Sequence, residues 1–313
     1  MKLASLRKAY GETLVEIGEK NKDIVVLDAD LAESTQTKIF AKRFPERFFD
    51  MGISEQDMIS TACGFALSGK VVFASSFAIF VPGRCYNQIR NNLCYMNLNV
   101  KIVSTHGGLA VGEDGSSHQA LEDISLMRGL PNMRVISPSD AVLTKDVIRF
   151  VAEKEGPFYV RLIRPETPVI HKEGDFNFGK AFLLNDGDDI SIFSHGIMVH
   201  KVIESIGLLK ERWINPLVFE FHTIKPLDEE AIDYAIKKTG KIIVIEDHSI
   251  YGGLGSAIAE YVSSRNPCYV IRLGTEGFGE SGKPEMLFKK FGLTPTRIVD
   301  KVEELLDRVQ ECK

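Results

Sequence analysis

Paired cysteines, a basic surplus and long apolar stretches are all missing from this chain of 313 residues, and each absence removes a class of protein. The five cysteines, Cys63, Cys85, Cys94, Cys268 and Cys312, are odd in number and fall in no CxxC or CxxH spacing. That pattern argues against a disulfide frame or a zinc site and leaves reduced thiols in a cytoplasmic protein as the expectation. Acidic residues outnumber basic ones, 43 to 38, for a formal net charge of -5, so no basic footprint for nucleic acid is present. No stretch approaches the roughly 18 uninterrupted apolar residues that a membrane span requires. The start, Met1-Lys-Leu-Ala-Ser-Leu-Arg-Lys8, lacks the apolar core of a signal peptide. No internal repeat or low-complexity segment is apparent.

What remains is an ordinary globular composition, 44% hydrophobic and 26% charged, in a length that predicts about two domains. Leu6, Tyr10, Leu14 and Ile17 share one face of a first helix. Short apolar runs at 23–27, 48–51, 71–74, 100–103, 133–136 and 158–163 read as strands separated by helical segments, the third ending at Ser75-Ser-Phe77. One of those helices is expected to follow Phe77 through Arg90, another to run from Leu121 to Arg128, and Ser139 or Asp140 to cap a third. Strands alternating with helices imply a parallel sheet covered on both faces. A second alternation follows, with strands at 217–221, 241–245 and 269–273 and a helix capped by Asp228 that ends before Gly240. Between the two, Asn185-Asp-Gly-Asp188 suggests a hairpin joining 181–184 to 190–193. The fold class is therefore α/β, with two doubly wound domains: residues 1–168, a linker at 169–187, and a smaller domain at 188–313.

Polar and aromatic residues collect where ligands of open parallel sheets bind, beyond the carboxyl ends of the strands. Asp30, Ser34, Glu55, Ser76, Phe77, His106, Asp114, His118 and Arg164 all fall there. The densest stretch is Thr105 to Gln119, where Gly107, Gly108, Gly112 and Gly115 permit positive φ and close approach between His106, Glu113, Asp114 and His118. Glu55 lies in the first turn of a helix, where the dipole favours its anion by roughly 0.3–1 kcal/mol. Phe77 and Phe80, three apart, would share a helical face. The turn Tyr251-Gly-Gly-Leu-Gly-Ser256 lacks the third glycine of GxGxxG and is not expected to hold a nucleotide.

Taken together, Gly52-Ile-Ser-Glu-Gln56, Ser76-Phe-Ala-Ile-Phe80, the loop Thr105 to Gln119 and Leu130-Pro-Asn-Met133 resemble the C-terminal half of transketolase. Val244-Ile-Glu-Asp-His248 and Tyr251-Gly-Gly-Leu-Gly255 fit the family's last domain, so the resemblance covers nearly the whole chain in the family's order. It implies a pyrimidine-binding domain followed by a transketolase C-terminal domain, and a thiamine diphosphate enzyme that passes a two-carbon ketol unit from a ketose phosphate to an aldose phosphate. Glu55 matches the glutamate that hydrogen-bonds the aminopyrimidine N1′ and promotes loss of the thiazolium C2 proton. Phe77 and Phe80 match aromatics around the pyrimidine, and Asp30 an acidic residue near the cofactor. Arg7, Ser34, His106 and Arg164 match contacts to the sugar phosphate. Asp114 matches the residue that reads the donor's hydroxyl, and His118 one near its C1 hydroxyl and C2 oxygen, which with Glu55 makes up the expected catalytic pair.

The chain departs from the family in three places. Gly107 stands where the family usually has Asp, and Pro82-Gly83-Arg84 stands where a third aromatic is usual. No Gly-Asp-Gly occurs, although Mg²⁺ and the diphosphate need hard oxygen ligands. The resemblance therefore implies no metal ligands in this chain, a partner N-terminal subunit carrying Gly-Asp-Gly, and self-association into an α2β2 assembly. A 2-oxo acid dehydrogenase β subunit and a deoxyxylulose-phosphate-synthase relative share the fold and the glutamate. A non-catalytic paralogue is a third alternative. Arg7, Ser34, His106 and the Gly-Glu-Asp-Gly loop favour a phosphosugar over the first two, and intact Glu55, Asp114 and His118 favour an enzyme over the third.

Overall fold

A computed structural model describes residues 2–311, with side chains through Asp307; Cys312 lies outside the described residues. In chain order the strands are β1 (Leu3–Ala4), β2 (Ile24–Asp28), β3 (Phe48–Asp50), β4 (Val71–Phe77), β5 (Val100–Thr105), β6 (Arg134–Ile136), β7 (Phe158–Arg161), β8 (Thr167–Pro168), β9 (Phe182–Asn185), β10 (Ile190–Ser194), β11 (Pro216–Glu220), β12 (Thr223–Lys225), β13 (Lys241–Ser249) and β14 (Tyr269–Thr275). One sheet has the order β12-β6-β7-β5-β4-β2-β3 and a second the order β14-β13-β10-β11-β9, while β1 pairs with β8. Within the two larger sheets only the edge strands β12 and β9 run antiparallel to their neighbours.

The sequence explains this layering. Ile24 and Val26 belong to one apolar cluster with Leu6, Tyr10 and Leu14, whereas Val25 and Leu27 belong to another with Met58 and Ile59. Alternate side chains thus point to opposite faces, and both faces are covered. The first helix, Leu6–Lys20, starts at Ser5, whose hydroxyl accepts the Lys8 amide at 3.3 Å. Its buried Tyr10 hydroxyl shares a 2.7 Å hydrogen bond with Ser75 near the carboxyl end of β4, which brings Arg7, one turn earlier, to that edge. Asp140 and Asp228 cap their helices, accepting from the Leu143 and Ala231 amides at 2.8 and 3.2 Å. Gly240 ends the second of these helices at φ 64°. Among the described residues no helix is long and apolar enough to cross a membrane.

Two local expectations fail. The helix expected through Arg90 is broken: Phe77 is the last residue of β4, and the chain then forms short helices at Val81–Arg84 and Tyr86–Gln88 and a π-helical turn at Ile89–Cys94. Pro82, with no N–H to give, fits a first helical turn and not an interior. The hairpin across Asn185-Asp-Gly-Asp188 is also absent, because β9 pairs with β11 and not with β10. The start of β11 takes up the turn instead: the Asp188 and Asp189 amides donate to the Asn215 carbonyl at 3.1 and 3.2 Å. A Cβ on Gly187 would stand 2.3 Å from that same oxygen.

The two sheets are joined through polar groups as well as apolar ones. β12, from the second half of the chain, extends the first sheet at β6. His171 lies buried between Asp140 and Glu220, 3.2 Å from a carboxylate oxygen of each. Burial opposes its charge, but the two carboxylates outweigh burial and raise His171 to about 10. Removing one partner of a buried ion pair strands the other charges and typically costs roughly 3–5 kcal/mol. His171→Gln should therefore lower the melting temperature. Since the folded pKa lies above the ordinary 6.5, the stabilisation is complete below that pH and lost as pH rises toward about 10. The difference in melting temperature between the two proteins should close over that window, and a pH-independent difference would contradict the charged His171.

Candidate active site

From β2 the chain steps outward to β3 and then returns past β2 to β4. The order of the sheet thus reverses between β2 and β4, the crevice where open parallel sheets bind ligands. Glu55 begins the helix Glu55–Leu67, directly after N-cap Ser54, and only 5% of it is exposed. Arg84 Nη1 donates to both of its oxygens, at 3.0 and 3.2 Å. The same guanidinium lies 4.2 Å from the centroid of the Phe80 ring, and Gln56 Nε2 ties down the Arg84 carbonyl at 2.8 Å. Although Phe77 and Phe80 share no helix, the turn closed by the Phe80 amide on the Phe77 carbonyl at 3.0 Å brings them together. Their rings stack at 5.7 Å and 16°. His106 stacks on Phe77 at 3.9 Å, and His118 meets Phe80 edge-on at 5.5 Å.

Beside this aromatic shelf is a group of cations. Arg7 Nη1 donates to the backbone carbonyl of Ser34 at 2.7 Å, while the buried Arg7 Nε has no hydrogen-bond partner. Arg164 Nη1 donates to the Val111 carbonyl at 2.6 Å and lies 3.5 Å from Asp114 Oδ2. His106 adopts φ 61° and shares a 2.8 Å hydrogen bond between its Nδ1 and the Thr105 hydroxyl. Burial, reinforced by Arg7, Arg164 and His118, pushes its imidazole down to about 3. The structure thus connects Arg7, Ser34, Glu55, Phe77, Phe80, His106, Asp114, His118 and Arg164. Asp30 stands apart: it is exposed at the end of β2, and its amide donates to Asp50 Oδ1 at 3.0 Å. Beneath it the buried Asp28 accepts from the Leu31 amide and from the Thr35 and Thr37 hydroxyls. Burial raises the Asp28 carboxyl to about 6 against those bonds.

Several contributors escape a reading of the sequence. Arg84 occupies a position noted only for lacking an aromatic. Gly107 is explained by Arg161, whose Nε would stand 2.6 Å from a Cβ at that position. Arg161 itself is buried, donating to Asp123 Oδ2 at 2.8 Å and to the Ala120 and Asp247 carbonyls at 3.1 and 2.9 Å. The glycine turn after β13 has its amides filled from within, because Glu246 accepts from Leu254 and Gly255 at 2.8 and 3.0 Å.

The crevice at the carboxyl edge of this parallel sheet is thus lined by a buried glutamate, stacked phenylalanines and the guanidiniums of Arg7 and Arg164. Residues 2–169 match the transketolase pyrimidine-binding domain, and residues 179–298 match the transketolase C-terminal domain. The chain belongs to the transketolase family. A Methanocaldococcus jannaschii protein, provisionally named a transketolase C-terminal section, is 49% identical over 304 residues, covering 96% of this chain and 95% of that protein. A solved split-gene transketolase, an inactive β4 tetramer, is 43% identical with a TM-score of 0.88, covering 97% of this chain and 98% of that one. Transketolase of Homo sapiens is 36% identical over 307 residues, 96% of this chain but 49% of its own length.

The electrostatics of the cation group can be read directly. The His106 imidazole should stay uncharged down to about pH 3, and Arg164→Met, which removes a neighbouring cation, should raise its pKa. Ring resonances followed by NMR across pH would show both; a wild-type His106 titrating near the ordinary 6.5 would contradict the packing described.

Proposed function

We propose that the chain is the C-terminal subunit of a split transketolase, which transfers a two-carbon ketol unit from a ketose phosphate to an aldose phosphate with thiamine diphosphate. The carrying observation is the pairing of Arg84 with Glu55 over the Phe80 ring. A planar, nitrogen-bearing group already lies over the aromatic shelf within hydrogen-bond reach of the buried carboxyl; an aminopyrimidine is likewise planar, and its ring nitrogen would accept the proton that Glu55 holds. The residues present fit the cofactor's ring: Glu55 would face N1′ and Phe77 and Phe80 would pack around it, while Asp30, outside the contacts that join these groups, keeps only the place near the cofactor that the resemblance gives it. Arg84 would swing out toward solvent when the ring enters. Bound there, thiamine diphosphate supplies the nucleophilic carbon that carries the ketol unit.

The chain's own residues do the rest. Glu55 holds a proton against the ring nitrogen. Arg7, whose Nε lacks a partner, joins Arg164, Ser34 and His106 in holding the substrate phosphate through charge-assisted hydrogen bonds. A neutral His106 can accept or donate a hydrogen bond without adding charge. Asp114 selects the donor's hydroxyl stereochemistry, and His118, edge-on to Phe80, serves the C1 hydroxyl and C2 oxygen. Because the sequence contains no Gly-Asp-Gly, the Mg²⁺ and diphosphate ligands are assigned to a partner N-terminal subunit. The likeness to a split-gene transketolase whose β4 tetramer is inactive supports both the partner and self-association toward an α2β2 assembly. On this reading residues 1–168 form the pyrimidine-binding domain and 188–313 the C-terminal domain, with the connection expected at 169–187 shortened because β9 within it joins the second sheet, and the assembly works in the cytoplasm.

Two substitutions in the reconstituted complex test this function. Glu55→Gln keeps size and hydrogen bonding but cannot share a carboxyl proton with N1′. Exchange of the cofactor's C2 proton should slow by roughly 10²–10⁴, the usual weight of general acid–base help; unaltered exchange would reduce Glu55 to a helix-start residue. Arg164→Ala removes a charge-assisted contact of roughly 1.5–3 kcal/mol. Use of phosphorylated ketoses should fall about ten- to a hundredfold, while hydroxypyruvate, which has no phosphate, should be much less affected at the donor step. Equal losses with both donors would make Arg164 a structural residue and remove the phosphosugar assignment.

A further inference from the structure

Buried backbone amides must find acceptors, and two of those in the site loop find theirs in the other half of the chain. Leu109 and Ala110 open a single 3₁₀ turn between His106 and Asp114. Their amides donate to Asp247 Oδ1 and Oδ2 at 2.8 and 3.3 Å. Asp247 lies on β13, in the second sheet. The approach depends on Gly108, which adopts φ 80° and whose Cβ would stand 2.1 Å from Asp247 Oδ2. On the other side of the loop, Gln119 Nε2 donates to the Glu280 carbonyl at 2.9 Å, and the Ser281 hydroxyl donates to the Glu113 carbonyl at 2.6 Å. The Asp247 carbonyl in turn receives Arg161 at 2.9 Å.

We infer that Asp247 is a positioning residue of the active site: through the Leu109 and Ala110 amides, the second half of the chain fixes the loop that carries His106, Asp114 and His118. Asp247 touches none of the groups assigned to chemistry, and Glu280 and Ser281 complete the grip from the same half. A glycine-rich loop of this length loses much conformational freedom on being ordered, and a carboxylate accepting two amides offsets that loss locally. The second half thus has a role at the site although it contributes no group to the cofactor or the phosphate. The loop it grips passes from the shelf at His106 to the donor-reading Asp114, so a change in the seating of the second half should alter substrate fit before it alters cofactor binding.

Hydrogen exchange of the isolated chain provides the decisive test, with Asp247→Asn, Gly108→Ala and the milder, exposed Ser281→Ala compared with wild type. Asp247→Asn keeps the shape but loses the charge and turns an N–H toward one of the two amides. Exchange at Leu109 and Ala110 should accelerate about ten- to a hundredfold, with β2 and β4 unchanged. Gly108→Ala should act in the same direction, and Ser281→Ala should loosen the loop near Glu113. The kinetic arm rests on the transketolase reading: in the reconstituted complex the KM for a ketose phosphate should rise about tenfold, while thiamine diphosphate affinity stays put. The exchange arm needs no substrate, so an inactive complex would count against that reading alone. Loop exchange unchanged in all three variants, a uniform rise across the chain, or faster loop exchange with an unaltered KM would each overturn the positioning role.

Discussion

A guanidinium buried between two sheets has five donors to satisfy and no water to help, and that constraint at Arg161 shapes the joint in which the site is built. Three of those donors, one on Nε and two on Nη2, reach Asp123, the Ala120 carbonyl and the Asp247 carbonyl. Each partner has structural consequences. Asp123 begins the helix after the site loop and also accepts the Tyr159 hydroxyl at 2.6 Å. Ala120 closes the loop, its carbonyl also accepting the Gly108 amide at 2.9 Å. Asp247 belongs to the second sheet. Above the guanidinium there is room for a glycine at 107 and for nothing larger.

From this joint follows the division of labour within the chain. The first half brings Glu55, the phenylalanine shelf, Arg7 and Arg164 to the carboxyl edge of its sheet, while the second sheet grips the loop that completes them. The halves share apolar clusters as well: Leu109, Ala110 and Leu121 fall in one core with Leu287 and Phe288. With β12 extending the first sheet and His171 bridged between Asp140 and Glu220, hinge motion between the halves would have to break buried ionic and apolar contacts together. Such a joint suits the function proposed above, in which the chain supplies one half of a site completed by another polypeptide.

Local chemistry made much of this legible. The runs at β2, β4, β5, β10 and β13 are apolar because both of their faces are covered. Asp140 and Asp228 cap helices because a short carboxylate satisfies free amides, and Gly240 ends one because it tolerates positive φ. The residues at the carboxyl edge were visible because a parallel sheet brings those ends together, with Asp30 left outside the contacts that join the others. Long-range pairing was not visible. Asp247 meets Leu109 across 138 positions, and Arg84 meets Glu55 across 29; neither leaves a periodic trace. The place of β9 failed for the same reason, since a turn-like sequence does not say which strand will occupy its hydrogen bonds. The helix expected after Phe77 failed more simply, because Pro82 permits a helix to begin there but not to pass through.

The central claim is that this chain holds the ring-binding and phosphosugar half of a transketolase site and depends on another polypeptide for the rest. Calorimetric titration of thiamine diphosphate in the presence of Mg²⁺ tests it most directly, performed on the purified chain and on its complex with a Gly-Asp-Gly-bearing N-terminal subunit. The account predicts no saturable binding to the chain alone and one cofactor per pair of unlike subunits in the complex, with ketol transfer appearing only there. Equally tight, stoichiometric binding and turnover by the chain alone would contradict it.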